Sequence, residues 1–384
     1  MKKYEGEDIN NRTSENLTLV TSYYELNNFE KRPKGRNREN YYKWAELIFG
    51  LDKNIVFFVG EEQDNLHIWK KRQQYGFLNK TLIIFKKFQD IPFFNLKDEI
   101  KEYIEENTPN NITEKETNYF AITTWSKIFF MDEILKKNPF NTDYFGWIDF
   151  GIYHVTKNNI PDDLENILVP NTDKIKILER IWTTKNEMKD HKEYAKMLRC
   201  KMGGGFWISE KSYMLEFVFL FKKYLFYLLS ERLIIQEEGI FGMIYHYNKN
   251  LFSTYLGNYY NIFENVKEYR SFDFIMLYNL DYCAENESYE HAFNICLILF
   301  EKFLDQMDKE EIFHVYDQFT LISFYIDKEK GKHGLNEWFK LIKNDYEYYN
   351  MFQENKDRIL DNIIHFDDNE IYEKFKSLIK IIEK

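Results

Sequence analysis

The chain has 384 residues, 44% of them hydrophobic and 30% charged, which sets it among globular chains large enough for a sizeable core and apart from disordered ones. Its net charge of −11 argues against a general nucleic-acid binder, which needs a basic face to neutralise phosphates. Three cysteines, odd in number and without a CxxC pair, point to a reducing compartment, and the polar start Met1 to Asp8 contains no secretory core, so a cytoplasmic location is expected. No apolar run reaches the length of a membrane span.

Residues 1–16 read as a polar tail. Leu17 to Tyr24 predicts a first strand, Arg38 to Phe49 a helix with an apolar stripe, and Asn54 to Val59 a second buried strand closed by Gly60. Asn65 to Tyr75 predicts a helix and Thr81 to Phe85 a third strand. Strands of this apolar kind alternating with helices are the signature of a mostly parallel α/β sheet covered by helices on both faces. Leu96 to Glu106 reads as a charged helix, Thr108 to Thr117 as a polar loop, and Tyr119 to Lys137 as a longer helix carrying Trp125 and Lys127.

The stretch that organises the chain follows. Pro139 stops the helix, and Tyr144 to Ile148 predicts a strand buried on both faces that ends at Asp149. A carboxylate there is costly to bury without a cation or strong donors, and ligands of open α/β sheets bind at the carboxyl ends of strands. Asp149 is therefore the leading candidate to hold a cation beside a phosphorylated ligand.

Pro161 to Pro170 reads as a loop, Lys174 to Trp182 as another strand, and Asp190 to Leu198 as a short helix. Gly203, Gly204 and Gly205 predict a backbone that approaches a ligand closely and presents N–H groups to it. The triplet is neither GxGxxG nor a P-loop, so dinucleotide or ATP binding is not indicated. Long helices are expected over Glu210 to Glu231 and Ile234 to Tyr247, the second holding Glu237 and Glu238, with Leu251 to Phe263 as a turn region. One of these glutamates is the candidate general base; adjacent helical positions diverge by about 100°, so only one faces a pocket, and the sequence does not choose between them. From residue 266 the pattern is helical, with runs over His291 to Gln306, Lys309 to Asp327 and Gly334 to Lys343 and two more towards Lys384, in a rhythm suggestive of tetratricopeptide-like stacking.

Leu17 to Tyr24, the Asn138-Pro139-Phe140 turn leading into Trp147-Ile148-Asp149-Phe150-Gly151-Ile152, the glycine triplet and Gln236-Glu237-Glu238 together resemble the HtrL/YibB-type family, taken as glycosyltransferases of bacterial polysaccharide loci and giant DNA viruses. The resemblance covers roughly residues 17–265 and implies a GT-A-like sheet that binds a nucleotide sugar with Mn²⁺ or Mg²⁺, followed by a helical domain over 266–384. It supports Asp149 as metal ligand. The Asp-x-Asp expected of such a fold is reduced here to its last acid, which leaves the first acid's role unfilled.

In this reading Thr21, Tyr23, Tyr24, Arg38, Lys127, Trp147 and Gly203 to Gly205 contact the nucleotide sugar, Arg36 and Arg38 offer guanidinium forks to the diphosphate, and His246 completes the metal shell. The expected function is metal-dependent transfer of a sugar from a nucleoside diphosphate to a hydroxyl acceptor of a glycan, with the helical domain open to a protein partner or self-association. The alternative is a non-catalytic scaffold that keeps a degenerate nucleotide-sugar fold and binds a partner through its helical tail.

Overall fold

The computed structural model describes residues 16–107, 117–156, 159–196, 201–345, 347–355, 373 and 376. The expected tail at 1–15, most of the polar loop at 108–116 and most of the last helices towards Lys384 lie outside these residues. The chain divides into two compact units, Met1–Tyr269 and Arg270–Lys384.

The first unit is built on a seven-stranded sheet. In chain order its elements are β1 (Leu17–Tyr23), α1 (Arg38–Trp44), α2 (Glu46–Phe49), β2 (Asn54–Val59), α3 (Glu62–Gln74), β3 (Thr81–Phe85), α4 (Lys97–Asn107), α5 (Asn118–Lys137), β4 (Tyr144–Ile148), α6 (Tyr153–Thr156), α7 (Leu164–Ile167), β5 (Ile175–Glu179), α8 (His191–Ala195), β6 (Met202–Glu210), α9 (Lys211–Ser230), α10 (Glu237–Tyr247) and β7 (Phe252–Leu256). The strand order is β3-β2-β1-β4-β6-β5-β7. Six strands run parallel, and β6 alone is antiparallel to both its neighbours. The mostly parallel sheet covered on both faces is the architecture the alternating pattern predicts.

Alternation along each strand sorts the two faces. Leu17, Leu19 and Tyr23 of β1, with Tyr144 and Ile148 of β4, pack with Ile48, Phe49 and Ile68 of α2 and α3. On the opposite face α5, α9 and α10 cover the sheet, and Trp147 of β4 pairs in register with Trp207 of β6, their rings 6.2 Å apart. Chain order reverses between β1 and β4, so the topological switch point of the sheet lies at their carboxyl ends.

Three segments differ from expectation. The glycine triplet lies within a nine-residue strand, β6, because pairing with β4 and β5 supplies the order that three glycines cannot supply by propensity. The edge strand β7 falls where a turn region is expected, since its five residues alternate too briefly to stand out. The helix over Arg38 to Phe49 is also broken at Ala45 into α1 and α2.

The second unit holds α11 (Phe274–Glu285), α12 (Tyr289–Lys302), α13 (Lys309–Ile326) and α14 (Lys328–Asn344), each packed on the next. Cys283 and Cys296 are buried here.

Arg72 of α3 is wholly buried and ties the helix to the sheet entrance: its guanidinium donates to the carbonyls of Phe49 (3.0 Å), Leu51 (2.7 Å) and Lys53 (3.0 Å), and its Nε to the Thr81 hydroxyl at 2.8 Å. Arg72→Leu leaves these acceptors unsatisfied and is expected to cost about 3 kcal/mol or more, read as a lowered urea midpoint at unchanged m.

Candidate active site at the carboxyl end of strand β4

Asp149 follows β4 directly, and its N–H donates to the Gly205 carbonyl at 2.8 Å, extending the β4–β6 pairing one step past the strand. Its carboxylate is gripped from one side. Oδ1 accepts from the Trp147 indole N–H at 2.6 Å and from Lys127 Nζ at 2.9 Å. The side chain keeps 38% of its surface exposed. Oδ2 is the oxygen nearer the glycine strand, 3.7 Å from where a Cβ on Gly205 would sit.

Lys127 reaches this point from α5. Its ammonium also contacts Glu237 Oε1 at 2.9 Å and the Gly204 carbonyl at 3.1 Å, and lies 5.7 Å from the centre of a Trp147 ring. Burial works against its charge, but Asp149 and Glu237 overcome that cost and hold its pKa above the ordinary lysine value. The lysine is thus a fixed cation between two acids.

The glycines make room for this cluster. Ile177 of β5 pairs with Trp207, whereas Glu179 pairs with Met202, so the single residue Leu178 faces the four residues Gly203 to Phe206. Such an extended bulge bends the strand and re-aims its backbone. A Cβ on Gly203 would lie 2.9 Å from the Leu178 side chain, one on Gly204 2.6 Å from Glu237 Oε1, and one on Gly205 2.9 Å from Ile152. The Gly204 peptide is used at both ends: its carbonyl accepts from Lys127 and its N–H donates to Glu238 Oε1 at 3.0 Å.

The two glutamates that the sequence leaves equivalent now separate. Glu237 is buried in its pairing with Lys127. Glu238 is partly exposed, and burial of its carboxyl together with the neighbouring Glu237 charge pushes its pKa up to about 7, against the pull of the Gly204 N–H, Lys127 and Arg180. Arg180, just past β5, is a further cation of this site, its guanidinium 4.4 Å from the centre of the Tyr259 ring. The expected strand over Lys174 to Trp182 runs through Arg180, and β5 itself ends on Glu179, so the rule that singles out Asp149 does not mark this arginine.

Not every expected residue joins the cluster. Arg38 is turned towards acids, with Nε donating to Asp64 Oδ1 at 3.0 Å and its terminal nitrogen 2.6 Å from Glu61 Oε1, so it ties α1 to α3 rather than offering its fork to a phosphate. Arg36 is the better placed of the two: among the described residues it pairs with no carboxylate, contacts the Tyr41 hydroxyl at 3.3 Å and lies over Trp44. Both Tyr41 and Trp44 border Gly151, two residues past Asp149.

His246 stands nine residues beyond Glu237 on α10, about 14 Å along the helix axis, with Nδ1 at 3.2 Å from the Thr183 carbonyl. It does not reach Asp149, because α10 presents its first turn to the site and His246 lies in its last. Thr21 is fully buried within β1, Tyr23 donates to Glu25 at 2.8 Å, and Tyr24 is buried beside Phe88 and Phe130. Trp125 is core, its indole donating to the Ile235 carbonyl at 2.9 Å.

Among the described residues no group of three or more histidines, cysteines or acids stands close enough to cage a metal by itself. Asp149 still suits a hard cation of the kind bound through one or two carboxylates plus substrate phosphates.

Lys127→Met strips Asp149 and Glu237 of their common cation and is expected to lower unfolding stability by about 3 kcal/mol or more, measured by urea denaturation. Glu238 binds a proton more readily folded than unfolded, so stability falls as pH rises from about 4.5 to about 7. Glu238→Gln removes that dependence. Its stability relative to the parent chain should therefore rise across this window, which thermal unfolding at pH 4.5, 6 and 8 checks.

A family model described as a bacterial protein of unknown function (HtrL_YibB) matches residues 15–268, which span the whole sheet and the cluster around Asp149. None of the curated proteins matches the chain. The chain belongs to the HtrL/YibB family.

Proposed function

We propose that the first unit is a glycosyltransferase that takes a nucleoside-diphosphate sugar, with Mn²⁺ or Mg²⁺, and passes the sugar to a hydroxyl acceptor. The observation that carries this reading is the pairing, at the switch point of the sheet, of an anchored carboxylate with one open oxygen, Asp149, and a second carboxylate poised to titrate near neutrality, Glu238. A divalent cation at Asp149 supplies Lewis-acid stabilisation of the leaving diphosphate.

The chain's own residues divide the remaining work. Lys127 and Trp147 fix Asp149, so its open oxygen needs no reorganisation when the ligand arrives. Arg36 offers donors to the diphosphate. The glycine bulge brings bare backbone to the sugar. Glu238 takes the proton of the acceptor hydroxyl as that oxygen bonds to the anomeric carbon and the bond from carbon to diphosphate breaks. Glu237 stays paired with Lys127 and holds the cluster together.

Calorimetric titration with nucleoside diphosphates in the presence and absence of Mn²⁺ tests the reading, and the lack of any nucleotide response would sink it in favour of a non-catalytic scaffold. Asp149→Asn is expected to lose the metal-dependent part of binding; it takes one of the two acids from Lys127, so its melting temperature falls somewhat, and a cooperative unfolding transition confirms that it still folds. With a donor sugar in hand, Glu238→Gln should lower kcat by about 10²–10⁴-fold with little change in KM, and the parent rate should fall as pH drops below about 7.

A further inference from the structure

The carboxyl ends of β1 and β2 frame a pocket of about 380 Å³ on the side of the switch point away from β6. Its volume lies within the roughly 300–1,000 Å³ range of small-molecule sites. Aromatic rings supply part of its wall, with Phe29 and Phe88 4.7 Å apart and Tyr24 5.4 Å from Phe88. The Tyr24 hydroxyl is buried without a hydrogen-bond partner among the described residues. The polar wall contains Glu25, Asn28, Glu61 and Gln89, and among the described residues no lysine or arginine lines the pocket. A phosphate has nothing to hold it here, whereas a flat ring bearing N–H donors has both stacking surface and acceptors.

We propose that this pocket takes the base of the nucleotide and selects guanine over uracil and thymine. The inference rests on the reading of the first unit as a nucleotide-sugar enzyme and names the donor class for it.

The acceptors are held in place by the protein's own bonds. Glu25 Oε1 accepts from the Asn27 backbone N–H and side-chain amide, which leaves Oε2, taken only by Tyr23, a lone pair to spare. Glu61 Oε1 accepts from Asn28 and faces Arg38, while its Oε2 accepts from Gln63 alone. Burial raises the Glu61 pKa, but the hydrogen bonds from Gln63, Arg38 and Asn28 outweigh it and keep the carboxyl below the ordinary range, so it remains an ionised acceptor at neutral pH. Asn28, donating its amide to Glu61, turns its own carbonyl oxygen into a further acceptor.

Guanine presents three N–H hydrogens along one edge, from N1 and the 2-amino group. Uracil and thymine present one, flanked by two carbonyl oxygens that would face these carboxylates and leave them unpaired. Glu25 and Glu61 are partly exposed, so water takes up part of that mismatch and the discrimination expected is modest. The spacing also suits the diphosphate. β1 and β4 are adjacent strands about 4.8 Å apart, so a base at the end of β1 places its phosphates towards Asp149 and Arg36.

The test is calorimetry on the full chain with Mn²⁺ held constant and GDP, inosine diphosphate, UDP and dTDP as titrants. GDP should bind at least about tenfold more tightly than UDP or dTDP, and inosine diphosphate, which lacks the 2-amino group, should be weaker than GDP. Glu25→Gln and Glu61→Gln should each shrink the ratio of GDP to UDP affinity, with melting temperatures confirming that both variants fold. UDP or dTDP binding as tightly as GDP, or a ratio unmoved by both variants, overturns the base assignment and leaves the enzyme reading standing. Binding of no nucleotide overturns both.

Discussion

The Lys127 ammonium is the contact on which the candidate site depends. It is delivered by α5, it meets Asp149 at the end of β4 and Glu237 at the start of α10, and it caps the Gly204 carbonyl of β6. Four elements distant in sequence are thereby fixed to one point. Each acid would be expensive to bury alone, and so would the lysine; together they satisfy one another. The arrangement also sets apart the one carboxylate that Lys127 does not touch. Burial of the Glu238 carboxyl, with the negative charge of Glu237 added to it, pushes that group towards neutrality against the pull of Lys127.

The antiparallel strand is what allows this geometry. A sheet of parallel strands alone would bring only carboxyl ends to the switch point. Because β6 runs the other way, its amino end, Met202 to Gly205, lies beside the carboxyl end of β4. That end carries the glycines, and their bulge admits the first turn of α10 to within contact of the backbone. Side chains at Gly203 or Gly204 would strike Leu178 or Glu237. The glycines are therefore required by close packing within the protein, and any approach of a sugar to the same backbone comes in addition to that need.

Much of this was legible in the residues. Tyr144 to Ile148 reads as a buried strand because every position is apolar or small, and Asp149 stands out for the cost of a charge at its end. The apolar runs over 55–59 in β2 and 82–85 in β3 are equally plain. Partners are another matter. Whether Arg38 meets a phosphate or a carboxylate depends on where Asp64 and Glu61 come to lie, twenty or more positions away, and nothing local to Arg38 encodes that. The helical period brings Glu237 and His246 under one amphipathic pattern, yet the rise along the axis separates them. β6 was hidden for a related reason: its glycines argue for a loop, and only the strands on either side make it a strand.

The charge balance of the cluster bears on what it can bind. Asp149, Glu237 and Glu238 are answered by Lys127 and Arg180, so with Glu238 ionised the acids exceed the bases. A diphosphate brought to such a place adds negative charge to negative charge, at short range and in a partly dry setting where screening is weak. Arg36 offsets only part of this. On the proposed reading, a divalent cation at Asp149 then has two tasks, holding the diphosphate and relieving the surplus of acids. The second task reaches Glu238: a cation near Asp149 lowers the cost of ionising its neighbours, so the metal that admits the donor would also ready the base. Donor binding and proton acceptance would be coupled through the same few ångströms of charge, with Lys127 as the fixed counterweight that keeps Glu237 out of the exchange.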